Sequence, residues 1–272
     1  MMNRFCMLLL GMLWASLSAG CAMDVYNRPE FVRFKKDSAG EIVLRSLIYQ
    51  GYIDWQGETG MACSLRSVET RNDTSITKID QLSFDMENNQ IHGRTHRGAA
   101  IVNHAYTGGR YWERVDQEPI KAIKQLGAGC RALVDDYLFT MLPFLVGRYA
   151  IAFELEKPEV IDRVRYNVVV ARFPTDGLVP PDAWYKLFYT HTTNRLEKVF
   201  FMADSGQYTG RYIWCEFDNY ADLDGVLIPL HRVFTLAKDK SGVKESRPFL
   251  QQWVYDLEFG SVDSLLFEEQ ES

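Results

Sequence analysis

Residues Glu118 to Gly147 read EPIKAIKQLGAGCRALVDDYLFTMLPFLVG, and their pattern decides what the rest of the chain must build. Cys130, Leu133, Val134, Tyr137, Leu138, Met141 and Leu142 recur at i, i+3, i+4, i+7, i+8, i+11 and i+12. That spacing is one apolar stripe along one helix. Ile120, Ile123 and Leu126 make a shorter apolar face ahead of it. Gly127 and Gly129 are expected to break the two pieces apart, and Pro143 to stop the second. Burying about seven such side chains stabilises by roughly 10–20 kcal/mol, at about 1.5–3 kcal/mol each. A helix with that much apolar surface has to cover something, and its surroundings offer only a sheet.

On either side the period of the pattern changes to two. Upstream, strands are expected over Met61–Arg71, Ile76–Met86, Gln90–His96, Ala99–Thr107 and Arg110–Val115. Downstream they are expected over Arg148–Leu155, Asp162–Phe173, Trp184–Thr190, Leu196–Met202, Gln207–Phe217, Val226–Ala237 and Phe249–Phe259. Asn88-Asn89, Gly108-Gly109, Thr193-Asn194, Asp224-Gly225 and Ser241-Gly242 supply turn chemistry between them. Such spacing suits consecutive antiparallel hairpins in a barrel or strongly curved sheet. Before the first strand, Ser38-Ala39-Gly40-Glu41 reads as a capping box, with Ile42, Val43, Leu44, Leu47 and Ile48 as the apolar face of a helix that Gly51 ends. The fold class is mainly β (α+β): an open antiparallel half-barrel covered by helices.

The chain opens MMNRFCMLLLGMLWASLSAGCAMD. Arg4 followed by thirteen mostly apolar residues, Phe5–Leu17, suits a signal peptide over residues 1–20; a membrane span needs about 20. Leu17-Ser18-Ala19-Gly20-Cys21 resembles the lipobox of bacterial lipoproteins, with Ser18 where that motif usually has Leu. The resemblance implies lipidation at Cys21, and Ala22 behind it implies an outer-membrane address facing the periplasm. Cleavage after Ala22 into a soluble periplasmic protein is the alternative. Residues 21–37 then read as a polar tether and 38–272 as one domain carrying the helical insertion 118–147.

Formal charge falls from −6 to −7 when Arg4 leaves, and no basic patch suggests nucleic acid. Cys63, Cys130 and Cys215 remain after Cys6 leaves and Cys21 is acylated; free buried thiols are expected, with one disulfide among them open.

The order of elements, with the phrases Tyr49-Gln50-Gly51-Tyr52-Ile53-Asp54-Trp55, Gly108-Gly109-Arg110-Tyr111-Trp112, Leu142-Pro143-Phe144-Leu145, Asp224-Gly225-Val226-Leu227-Ile228-Pro229 and Val262-Asp263-Ser264-Leu265-Leu266-Phe267, resembles the bacterial lipoprotein carriers LolA and LolB and the uncharacterised envelope proteins related to them. It departs at Gly51-Tyr52, where relatives often carry two glycines, and in the long helical insertion. The resemblance implies an open barrel whose concave apolar face accepts acyl chains. Leu133, Tyr137, Leu138, Met141 and Phe144 are then the expected lipid contacts, Met141 suiting a face that repacks around variable shapes.

Chemistry-bearing motifs are sparse. There is no Gly-x-Ser-x-Gly elbow, no His-Glu-x-x-His and no dinucleotide fingerprint, so no catalytic residue, metal ligand or cofactor is assigned. His92 and His96, about 13 Å apart on a strand, read as surface residues. Asp135-Asp136 reads as a solvated pair, and Glu268-Glu269 as a charged tail. Cys130 follows Gly127-Ala128-Gly129 near a helix start, where thiol pKa falls, yet it also begins the apolar stripe. Two functions from different classes stand: a carrier of a lipid or lipoprotein acyl chain, and a non-catalytic accessory or sensor module that binds another envelope protein.

Overall fold

The computed structural model describes residues 28–267 apart from 72, 98, 117, 120–122, 175–183 and 204–207. Residues 1–20, read as a signal peptide, Cys21 and Glu268-Glu269 therefore lie outside the described residues. A 3-10 helix, Pro29–Lys36, leads into helix α1 (Ser38–Tyr49) and the single turn α2 (Tyr52–Trp55). Five strands follow: β1 (Gly60–Arg71), β2 (Thr74–Asp85), β3 (Gln90–Arg97), β4 (Ala100–Thr107) and β5 (Arg110–Val115). A short β6 (Glu118–Pro119) precedes helix α3 (Ile123–Tyr149). Then come β7 (Ala152–Leu155), β8 (Glu159–Ile161), β9 (Val164–Arg172), β10 (Trp184–Thr190), β11 (Leu196–Met202), β12 (Tyr212–Leu223), β13 (Val226–Ala237) and β14 (Lys244–Phe259), and a closing 3-10 turn, Ser264–Phe267.

All strands join one antiparallel sheet in the order β6-β5-β4-β3-β2-β1-β14-β13-β12-β11-β10-β9-β7, with β8 beside β9. Hairpin follows hairpin, and one long-range pairing, β1 with β14, joins the two halves. The ends of the path, β6 and β7, do not pair with each other, so the sheet stays open. It is a half-barrel, and α3 lies against β3, β4, β5 and β13 while also touching α1 and α2.

Alternation sorts the side chains. Phe200 and Phe201 are neighbours on β11 and must face opposite ways. Phe201 belongs to the large core shared with α3, whereas Phe200 joins Tyr166, Val168, Phe188 and Trp214 in a separate cluster on the other side of the sheet. Trp184 and Tyr212 pack on that second cluster, so part of the chain's aromatic content seals the outer face.

Several expectations are corrected. Helix α3 runs unbroken through Gly127, Gly129 and Pro143. At Gly129 a Cβ would overlap the Tyr111 hydroxyl and a Glu113 carboxylate oxygen, so this glycine permits close approach to β5 instead of ending the helix. Pro143 costs about 3 kcal/mol inside a helix. Phe144, Leu145 and Val146 beyond it are fully buried, and at about 1.5–3 kcal/mol each they outweigh it. The helix thereby absorbs Arg148 and Tyr149, leaving β7 only Ala152–Leu155.

The stretch expected as one strand over 162–173 contributes only β9, because Asp162 and Arg163 turn at positive φ of 51° and 69°. Helix α1 is capped one residue early, by Asp37, whose Oδ1 accepts from the Gly40 N–H at 2.8 Å. The segment read as tether contains Pro29–Lys36, where Phe31 and Phe34 are 0% and 1% exposed. Two rings so buried make that segment part of the fold.

Candidate functional site

Beside the middle of α3, two neighbouring hollows share part of their lining. One encloses about 270 Å³ between Phe139 of α3, Phe201, Ile213, Phe234 and Phe249 of the sheet, and Ala203 and Tyr208 beyond β11. The other, about 320 Å³, lies over β1 and β2 beside Ser67, Ile76, Lys78 and Ala132. Both lobes are bounded by Glu69, Asp135, Asp136, Leu250 and Gln252; Arg71 and Arg131 also line the first and Lys78 the second, so each is an apolar hollow with a charged rim.

Register explains the meeting. Ser67 pairs with Gln252 across β1 and β14, and Gln252 pairs with Arg232 across β14 and β13. All three point to the concave face, where α3 brings Asp136 and Thr140, one turn apart. Gln252 Nε2 donates to Asp136 Oδ1 at 2.8 Å and to Ser67 Oγ at 3.1 Å. Thr140 Oγ1 donates to the Asp136 carbonyl at 2.6 Å and accepts from Arg232 Nη1 at 2.7 Å. Arg232 is 0% exposed, and its Nε and Nη2 find no hydrogen-bond partner among the described residues. On β2, Asp80 is held by Thr95 and by Lys78 Nζ at 2.7 Å.

The expected solvated pair Asp135-Asp136 is thus corrected. Asp135 stays on the rim, bound to Arg131 at 2.8 Å, while Asp136 is half-buried and its carboxyl accepts from Gln252. Burial pushes the Asp136 pKa up, against the pull of Lys78 and Arg232; burial pulls the Arg232 pKa down, against Asp136. An isolated helix strip could not reveal this, because the partners come from strands about 100 residues away in sequence.

The expected lipid contacts lie elsewhere. Leu133, Tyr137, Leu138, Met141 and Phe144 are at most 1% exposed, packed into the core, and line neither lobe. Phe139, between two of them on the stripe's flank, lines the first lobe together with Arg131, Asp135 and Asp136 of the same helix. Tyr137 packs on Phe84 at 5.0 Å, and Phe144 stacks on Trp55 at 5.2 Å.

His92 is corrected too: it is 9% exposed, its ring 6.3 Å from Trp112, while His96 is exposed. The closing turn Ser264–Phe267 packs on β3 and β4, with Trp112 Nε1 donating to the Phe267 carbonyl at 3.4 Å. Burial pulls the His92 pKa down to about 4. Cys63, Cys130 and Cys215 are free. Burial pushes the Cys63 thiol up to about 12 and raises the other two.

Beside Gly129, His104 Nδ1 lies 3.2 Å from the Tyr111 hydroxyl, which donates to Glu113 Oε2 at 2.7 Å. Among the described residues no three His, Cys, Asp or Glu side chains gather to hold a metal ion, and no helix is long and apolar enough to cross a membrane.

No protein-family model matches the sequence, and no curated protein matches it. Solved structures do resemble it in fold. A LolA superfamily protein from Nitrosomonas europaea superposes with a TM-score of 0.56 at 15% identity, covering 86% of this chain and 98% of that one. A DUF1329 family protein from Desulfovibrio piger gives 0.54 at 9% identity, with the same coverages of 86% and 98%. Over nearly the whole length of both, the open sheet wrapped on a helical cover is shared, and the chain has the LolA-like fold.

Proposed function

We propose that the protein is a lipid-anchored carrier of the bacterial cell envelope, which holds a lipid or the acyl part of a lipoprotein between α3 and the concave face of the sheet. The observation that carries this is the groove: an apolar lobe of about 270 Å³ that opens beside the helix and is lined by rings from β11, β13 and the start of β14. Small-molecule sites run roughly 300–1,000 Å³, so this lobe by itself is small for a lipid, and larger cargo requires α3 to move outward. That movement would uncover Leu133, Tyr137, Leu138, Met141 and Phe144, the residues proposed to meet acyl chains. Exchange between apolar environments needs no covalent step, and we infer a non-enzymatic role. The anchor is Cys21, and the proposed address is the periplasmic face of the outer membrane.

The second reading, an accessory or sensor module that binds another envelope protein, is favoured by the same five side chains being sealed in the core. Native mass spectrometry of protein purified from its own host separates the two. Co-purifying lipid that leaves on denaturation is expected for the carrier. Only apo mass, under conditions that preserve other lipid complexes, would favour the module.

A further inference from the structure

We propose that the face built around the N-terminal 3-10 helix, Pro29–Lys36, docks on the surface of an anionic lipid bilayer. This rests on the anchor reading of Cys21 and adds to it a contact made by the folded domain.

A 3-10 helix has three residues per turn, so side chains three apart eclipse one another. Phe31 and Phe34 take the inward row, at 0% and 1% exposed. Val32 and Lys35 are left on one outward row and Arg33 and Lys36 on the other, all four exposed. Arg28, just before the helix, is exposed as well. Residues 28–36, RPEFVRFKK, hold four cations and one carboxylate, a formal +3 in a chain of −6. Asp37 behind them has its carboxylate turned to the Gly40 N–H as the α1 cap. Apolar surface adjoins the charge: Val32 is 58% and Ile151 66% exposed. Arg33 Nη1 donates to the Ala150 carbonyl at 3.4 Å, and the Phe34 ring lies 5.6 Å from that of Phe153, which places Ile151 beside the helix. Exposed cations flanked by exposed aliphatic side chains complement a lipid surface, whose phosphates draw the cations while the acyl boundary takes the aliphatic groups.

The chain ahead of the helix points to the same occupant. Six residues, 22–27, separate Cys21 from Arg28. Extended chain spans at most about 3.3–3.6 Å per residue, so the link reaches roughly 25 Å. With Cys21 acylated, Arg28 stands no farther than that from the bilayer, and the short link keeps the cations at high local concentration over the lipid. The contact leaves the two hollows uncovered. Asp136, on their shared rim, lies roughly 20 Å back along α3 from Tyr149, at about 1.5 Å per residue.

The test uses the whole mature chain with Cys21→Ser, so that no acyl chain contributes. Vesicles of phosphatidylethanolamine with about a quarter phosphatidylglycerol are compared with vesicles of phosphatidylcholine alone. Co-sedimentation at about 0.02 M salt should recover protein with the anionic vesicles only. Raising the salt to about 0.15 M should release most of it, leaving the acyl chains as the hold under cellular conditions. Lys35→Glu with Lys36→Glu should weaken the low-salt binding about tenfold or more, each lost cation costing about fivefold. Val32→Ser should weaken it about threefold through lost apolar area. Both should keep the thermal midpoint, since the substituted side chains are exposed. Lys238→Glu with Lys240→Glu makes the same change of net charge at exposed positions in the β13–β14 turn, and should leave binding within about twofold.

Equal loss in the two double variants would overturn the face and leave only an effect of net charge. Binding untouched by Lys35→Glu with Lys36→Glu would overturn it too, and equal recovery with phosphatidylcholine would overturn the electrostatic docking. No low-salt binding to the anionic vesicles, with acyl chains found on the N-terminal peptide of protein from its host, would overturn the docking and leave the anchor standing. An N-terminal peptide without acyl chains would remove the anchor reading instead.

Discussion

At the scale of single residues, the fate of His92 shows how context outranks residue type. His92 and His96 share one face of β3, yet only the first is buried. Burial, with a smaller contribution from Arg94, depresses the His92 pKa from 6.5 to about 4. The sign follows directly. Between those values the unfolded chain binds a proton that the folded one refuses, so stability rises with pH through the window and is lost as pH falls from about 6.5 toward 4. The loss should be on the order of 1–3 kcal/mol. His92→Gln should flatten that part of the stability profile, read as denaturant midpoints across the pH range. An unchanged slope would place the titrating group elsewhere.

Arg232 is the other telling residue. It is wholly enclosed, hydrogen-bonded to Thr140 and electrostatically supported by Asp136. Removing one member of such a buried set usually costs more than the set contributes, because the remaining charge is stranded.

At the scale of elements, the junction from α1 to the sheet is held by a backbone contact that only glycine allows. Gly51 has φ of 78°, and a Cβ there would overlap the carbonyl oxygen of Gly225 in the β12–β13 hairpin. The same junction is tied by the Leu227 N–H donating to the Gln50 carbonyl at 3.0 Å. Left-handed backbone alone costs an ordinary residue about 1–2 kcal/mol. Gly51→Ala should therefore lower stability by more than about 2 kcal/mol, since backbone has to move as well. Gly108→Ala is the control: its φ is 53° but the space around it is open, so only about 1 kcal/mol is expected. Thermal or urea unfolding of the two variants reads the difference. Equal losses would mean that the Gly51–Gly225 contact contributes nothing. Helix α3 follows the same logic in reverse: Gly129 and Pro143 look like breakers by local propensity and are retained because the sheet rewards the continuous helix.

At the scale of the whole molecule, an open sheet has two edges to protect. One ends in the two-residue β6 with Pro119, the other in the four-residue β7. Short edges limit pairing with other chains. Anchoring belongs at this scale too. Two or more acyl chains hold a protein on a bilayer where one does not. Cys21→Ala is accordingly expected to move the protein from the membrane fraction to the soluble periplasmic fraction, followed by immunoblotting of the two. A variant that still sediments with membrane would exclude Cys21 as the anchor.

Alternation and the 3.6-residue period are local properties of the chain, and the half-barrel class, most strand positions and the long apolar helix follow from them. The sequence also carried the turn positions: Asn89, Asn194, Asp224, Gly225 and Gly242 all adopt positive φ. Tertiary structure alone decided the rest. Whether Gly129 and Pro143 ended α3 depended on what packed beside and beyond them. Whether Asp136 met water or Gln252 depended on a β1–β14 pairing that joins residues more than 180 apart. The groove was invisible for the same reason. Its walls come from α3, β1, β2 and β11–β14, and a space between such distant segments has no signature in any one of them, because it consists of what the side chains leave unfilled.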